Sequence, residues 1–193
     1  MMRSVRRLAP LFAFALLLSA GDTLVVDAVQ TKVEFTLPSL LHTVHGEFRL
    51  KRGALTFDAA SGKVSGELVI DATSGASGNE SRDKRMHASI LESAKYPEIV
   101  FRPDRVDGKV AATGKSQVQL HGVFSIHGAD HEILVPATVE AAGAEYAASA
   151  TFEVPYVKWG MKNPSTLMLR VSEKVEILVQ TRLTPATPVH TAN

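Results

Sequence analysis

The chain has 193 residues and a mass of 20.8 kDa, with 45% apolar and 21% charged side chains and a formal charge of +1, proportions of an ordinary globular protein and not of a disordered tail. A body of this size buries about 70% of the surface its unfolded chain exposes, enough for one domain with a sizeable interior. The absence of cysteine excludes disulfides, thiolate nucleophiles, thiolate zinc sites, iron–sulfur clusters and an acylated lipoprotein cysteine, and leaves His, Asp and Glu as metal ligands.

Arg3, Arg6 and Arg7 precede a nearly unbroken apolar run, Leu8 to Ala20, that closes on small residues at Ser19, Ala20 and Gly21. This is the arrangement of a secretory signal peptide, expected over residues 1–21. Thirteen residues at about 1.5 Å each reach about 20 Å, short of a hydrocarbon core of about 30 Å, so cleavage is expected and not anchoring. No later segment holds eighteen uninterrupted apolar residues. A soluble secreted product follows, periplasmic if the source has two membranes. Without the leader the chain carries 18 basic and 20 acidic side chains, a charge of −2. The longest basic cluster, Lys84-Arg85 with Arg82 nearby, is diluted by Glu80 and Asp83, which argues against a nucleic-acid partner.

From Thr23 onward the dominant period is two. Val33, Phe35 and Leu37 alternate with polar residues, as do Phe48 and Leu50, then Leu55 and Phe57, then Val64, Leu68 and Ile70. The alternation resumes at Val118 and Leu120, at Ile133 and Val135, and at Val175, Ile177 and Val179. Turn formers at Ala60-Ser61-Gly62, Asp107-Gly108, Gly128-Ala129-Asp130 and Ala142-Gly143 are short enough for antiparallel hairpins. One segment breaks the pattern. Met86, Ile90, Leu91 and Ala94 recur at helical spacing, Asn79 or Ser81 can cap the start, and Pro97 precedes the strand Glu98-Ile99-Val100-Phe101, so a single helix is predicted over about 81–93. With no second long helix to cover it, the sheet must close, and an all-β antiparallel barrel of about eight strands over residues 22–184 is the expected fold. Residues 185–193 read as a flexible C-terminal tail.

Such a barrel is either filled by its own side chains or holds one slim ligand. The inward set predicted here is Phe35, Leu37, Phe48, Leu50, Phe57, Leu68, Ile70, Phe101, Phe124, Ile126, Phe152 and Tyr156. It contains no charge, so any occupant is apolar. Periodicity alone leaves full and hollow open.

Several ordered motifs carry a resemblance. The run Asp27, Val33, Phe35, Val44, Gly46, Phe48, Gly53, Leu55, Phe57 and Asp58 resembles the opening of the YceI-like family. Gly78-Asn79-Glu80, Arg82-Asp83, Lys95-Tyr96-Pro97 and Ile99-Val100-Phe101 are similar to its middle block. Gly122 to Gly128 with Val135-Pro136, and Phe152-Glu153-Val154 with Val175-Glu176-Ile177, resemble its later hairpin and closing strands. The resemblance implies a secreted, lipocalin-like barrel that carries a polyisoprenoid, quinone-like or other long-chain lipid in its lumen without catalysis or a cofactor. The chain departs from the family in having Ile90-Leu91 where an aromatic pair is usual, and Ala28-Val29-Gln30-Thr31 in place of a His after Asp27.

Asn79, Arg82 and Asp83 form a polar cluster that suits a head-group rim and equally suits helix capping. Among the histidines, His42 and His45 have the wrong parity for a strand, and His121 and His127 lie about 20 Å apart along one. His127 and His131 flank a predicted three-residue hairpin loop that sets them opposite each other, a low-order metal alternative lacking a third ligand beyond Asp130, Glu132 or a distant His87. Trp159, the single tryptophan, sits in a loop with Met161, Leu167 and Met168. Two roles fit: an apolar lip in transient contact with membrane or partner, or a plug under the barrel. No Gly-x-Ser-x-Gly elbow, Ser/His/Asp order or phosphate loop stands out. A filled barrel acting as an interaction module is the remaining alternative.

Overall fold

The computed structural model describes residues 21–167 and 169–186; the predicted signal peptide, apart from Gly21, and most of the predicted tail lie outside them. Nine strands form, β1 (Asp22–Val26), β2 (Lys32–Leu37), β3 (Val44–Asp58), β4 (Lys63–Ala76), β5 (Glu98–Asp107), β6 (Gly114–Ile126), β7 (Ala129–Ala142), β8 (Glu145–Val154) and β9 (Val175–Pro185). Every pairing is antiparallel and sequential neighbours pair from β2 to β9, while β9 returns to β2 and β1 and closes the sheet. Segments β1 and β2 both lie between β3 and β9, one below the other. Nine segments therefore occupy eight positions round an all-β antiparallel barrel, and closure leaves no unpaired edge.

The break between β1 and β2 is held by Asp27. Its Oδ1 accepts from the backbone N–H groups of Val29 at 2.9 Å and Gln30 at 3.0 Å, and its carbonyl accepts from Thr31 Oγ1 at 2.6 Å. The Gln30 N–H above all holds this carboxyl below its ordinary range. Strand β9 continues past residue 184, and Ala186 N donates to Thr23 O at 2.8 Å. The start of the predicted tail is thus tied to the barrel.

The two barrel ends are unlike. One is closed by short connections, 59–62, 108–113 and 143–144, over Val64, Val106, Val118 and Ala137. The other carries long loops at 38–43, 77–97 and 155–174. The helix in the second of these is shorter than predicted. Helix α1 spans Glu80–Arg85, and a single π-helical turn, Met86–Ile90, follows. Asn79 is the cap, its side chain accepting from Arg82 N at 3.0 Å. His87 explains the early stop: its ring bonds Gly75 O at 2.8 Å and Ser93 Oγ at 2.9 Å, pulling the chain onto β4, and Glu92 then turns at φ 48°. Pro97 is not needed as a terminator.

The β6–β7 connection is also tighter than predicted. His127 (φ 52°) and Gly128 (φ 78°) form a two-residue turn with both residues left-handed, the mirror-image geometry that fits strand twist. Ile126 then faces Ala129, and Phe124 faces His131.

Candidate functional site

Inward side chains of the barrel enclose a cavity of about 570 Å³, within the range of small-molecule sites. Strands β2 and β3 contribute Phe35, Leu37, Phe48 and Leu50; β4 and β5 contribute Leu68, Ile70 and Phe101; β6 and β8 contribute Phe124, Ile126 and Phe152, with Tyr156 just beyond. Aromatic contacts organise this wall, with Phe35 and Phe48 at 5.4 Å and Phe124 and Phe152 edge-on at 6.1 Å. Phe57 is placed elsewhere. It packs on Val64, Val106 and Val118 at the closed end, because it sits beside the β3–β4 turn where the barrel is already filled.

Small residues decide that the remainder is hollow. Ala137 on β7 and Ala148 and Ala150 on β8 face the cavity, and Ala137 pairs with Ala150. Sequence reasoning passed over them by counting aromatics. The run Ala147-Ala148-Ser149-Ala150 was the available signal, since alanine is a poor strand former that leaves space where a branched residue would fill it. Val175, Ile177 and Val179 of β9 complete the wall.

Polarity is distributed unevenly along the lining. Ser39, His42, Ser77, Asn79, Ser81, Arg82 and Arg85 all line the long-loop end, while Thr31, Ser149 and Thr181 mark the β1–β2 break, where the two threonine hydroxyls bond each other at 2.6 Å. Of the predicted rim, Asn79 caps α1 and lines the opening. Arg82 lines it too and is pinned, Nε donating to Ser77 Oγ at 2.7 Å and a terminal nitrogen to Ser77 O at 2.8 Å. Asp83 turns away from the cavity and accepts from Ser77 N at 3.0 Å and from the Ser77 hydroxyl. Desolvation raises its carboxyl, but the Ser77 hydrogen bonds outweigh this and hold it below the ordinary range. Capping and anchoring thus account for all three residues, and two of them also border the opening.

The 155–174 loop roofs the cavity. Tyr156 is buried and its hydroxyl donates to Ser172 O at 2.7 Å, joining the loop's two ends; burial pushes this phenol up to about 12, so it stays neutral. Met161 is buried in the cavity wall. Trp159 lies outside the cavity lining, stacked on His131 at 4.2 Å and 2° and packed on Phe124 at 5.8 Å. It is partly buried against the core cluster, whereas Leu167 is fully exposed; Met168 lies outside the described residues.

The predicted His127–His131 metal pair is not assembled. The shorter turn puts His127 at the tip, 4.9 Å from the Tyr96 ring and 3.6 Å from Glu92, while His131 faces Trp159. No group of three or more His, Asp or Glu among the described residues is arranged to hold a metal.

The fold is similar to that of several solved proteins. BcnA of Burkholderia cenocepacia, at 19% identity, superposes with a TM-score of 0.66 over 84% of this chain and 99% of its own. A polyisoprenoid binding domain from Saccharophagus degradans gives 16% identity and 0.65 over 84% and 98%. The Campylobacter jejuni YCEI protein gives 16% and 0.56 over 70% and 80%. No functionally curated protein matches the chain in sequence. These likenesses establish the barrel, and the sequence itself goes further: residues 24–183, nearly all of the closed sheet with the loops between its strands, match the YceI-like domain, so the chain belongs to the YceI-like family.

Proposed function

We propose that this protein is a non-catalytic carrier that holds one long apolar chain, of the polyisoprenoid or quinone class, in the barrel lumen. The observation that carries the reading is the continuous apolar cavity of about 570 Å³ whose polar lining lies mainly at one end. An occupant inserted tail-first gains about 0.8 kcal/mol for each methylene removed from water and needs no polar bond along its length. Its polar end would rest among Asn79, Arg82 and the mouth serines. The similarity to a polyisoprenoid binding domain supports the ligand class. A carrier of this kind needs no active site, and the leader at Arg3 to Gly21 fits work outside the cytoplasm.

Native mass spectrometry tests the reading. Protein purified from a host that makes its own isoprenoids should carry an adduct on the order of several hundred daltons, the mass range that a cavity of this size admits. Delipidated protein should regain the adduct on incubation with a long-chain polyprenol. A protein that remains empty after both treatments overturns the carrier function.

A further inference from the structure

The long loops at the mouth differ in charge from the rest of the barrel. The 77–97 loop carries four basic against three acidic side chains and the 155–174 loop four against one, while the rest of the described chain carries ten against sixteen. The two mouth loops are positive, and the remainder of the described chain taken together is negative. The same end exposes large apolar side chains: Leu40 is 72% exposed, Leu41 73%, and Leu167 fully so.

Leu40 and Leu41 lie on a loop that is joined to the one bearing Leu167. Leu40 N donates to Arg170 O at 2.9 Å, Ser39 pairs with Val171, and Ser172 N donates to Pro38 O at 2.9 Å, stitching the 38–43 and 155–174 loops to each other. Ser39, His42, Leu169 and Val171 of these loops line the cavity, so the exposed leucines border its opening. Leaving three leucines in water beside a cationic surface is unfavourable for a free protein and suits a partner that is apolar beneath an anionic skin. A protein interface of comparable size draws its core from aromatic residues and excludes charge, which the mouth does not do.

We propose that the mouth docks on an anionic lipid bilayer, Leu40, Leu41 and Leu167 entering the boundary between headgroups and acyl chains while cations of the two loops, Lys162 and Arg170 among them, face the headgroups. The docking gives the carrier reading above, on which its purpose rests, a route by which cargo passes between bilayer and lumen without crossing water. Attraction of this kind acts within about 10 Å at 0.1 M salt, so charges at the mouth count for more than those toward the floor.

Flotation with vesicles measures docking directly. Delipidated protein should float with phosphatidylcholine vesicles containing about 30% phosphatidylglycerol and much less with phosphatidylcholine alone, and the bound fraction should fall as salt rises. Combining Leu40→Ser, Leu41→Ser and Leu167→Ser should cut binding about tenfold or more, and combining Lys162→Glu with Arg170→Glu should abolish the preference for the anionic vesicle. A fluorescent polyene fatty acid titrated in vesicle-free buffer reports the cavity separately, and the leucine variant should take it up as the native protein does. Failure of the native protein to bind anionic vesicles, or undiminished binding by the leucine variant, overturns the docking proposal. Vesicle binding by a protein that takes up no fatty acid sinks the carrier reading and leaves the docking intact.

Discussion

His131 sits where a single proton has structural consequences. Its ring lies flat on Trp159, and its Nε2 is buried without a hydrogen-bond partner. Burial lowers its pKa, against a smaller raising effect from Asp130. The neutral ring is favoured in the fold, so the unfolded chain binds the proton first as pH falls. The stabilisation from this site is therefore complete above about 6.5, the unfolded value, and is lost as pH falls from there through the lower folded value. Acidification from pH 8 to pH 5 should loosen the Trp159 stack and shift the emission of this single tryptophan to the red. In His131→Phe, which keeps a stacking ring and cannot titrate, the emission should stay constant over the same range. An identical shift in both proteins would mean that another group controls the environment of Trp159. None of this pairing was legible in the sequence, where His131 was assigned opposite His127. The two-residue turn moved the register by placing His127 itself in the left-handed region, which histidine tolerates better than most residues.

At the scale of elements, β8 decides whether the barrel is a container. Ala148 and Ala150 face inward beside Ala137 of β7, where β4, β5 and β6 present Phe, Leu or Ile. Ala150→Phe should occupy the vacant volume and lower affinity for a fluorescent polyene fatty acid about tenfold or more. The strain of 1–3 kcal/mol typical of overpacking should be muted because the new ring enters empty space. A thermal midpoint within about 4 °C of the native value, by circular dichroism, would confirm that the lumen and not the fold was altered; unchanged uptake would place the ligand elsewhere. Strand existence was legible because each β-segment wets one face and alternates accordingly, as Val33, Phe35 and Leu37 do. Volume was not, since alternation identifies which side chains point inward without revealing whether they meet. The helix was readable from Asn79 and the spacing of Met86 and Ile90, but its π-turn depends on His87 reaching Gly75 and Ser93, contacts six and twelve residues away. The shared position of β1 and β2 depends on partners about thirty and one hundred and fifty residues distant, beyond any local pattern.

Over the whole molecule, the wall is laced with carboxylates that the fold prefers ionised. Gln30 and Val29 N–H groups hold Asp27 down, Ser61 and Ala60 hold Asp58, Thr73 holds Asp71, Lys51 and Arg52 hold Glu98, and Arg105 holds Asp107. Each is depressed in the fold, so its contribution is present above the unfolded carboxylate values near 4 and is lost as pH falls below them. The thermal midpoint, followed by circular dichroism, should accordingly fall below about pH 4. A midpoint that rises on that acid limb would contradict the hydrogen-bonded geometry described for these groups.

Thr23 and Ala186, joined by a backbone hydrogen bond, sit at the floor of the barrel, opposite the leucine-bearing loops. A fusion partner, bead or dye attached through a spacer after Ala186 therefore hangs from the base like the stem of a cup and leaves the rim unobstructed. Orientation on a sensor chip is settled by the strand topology: immobilised from that side, every molecule presents its opening to the flow.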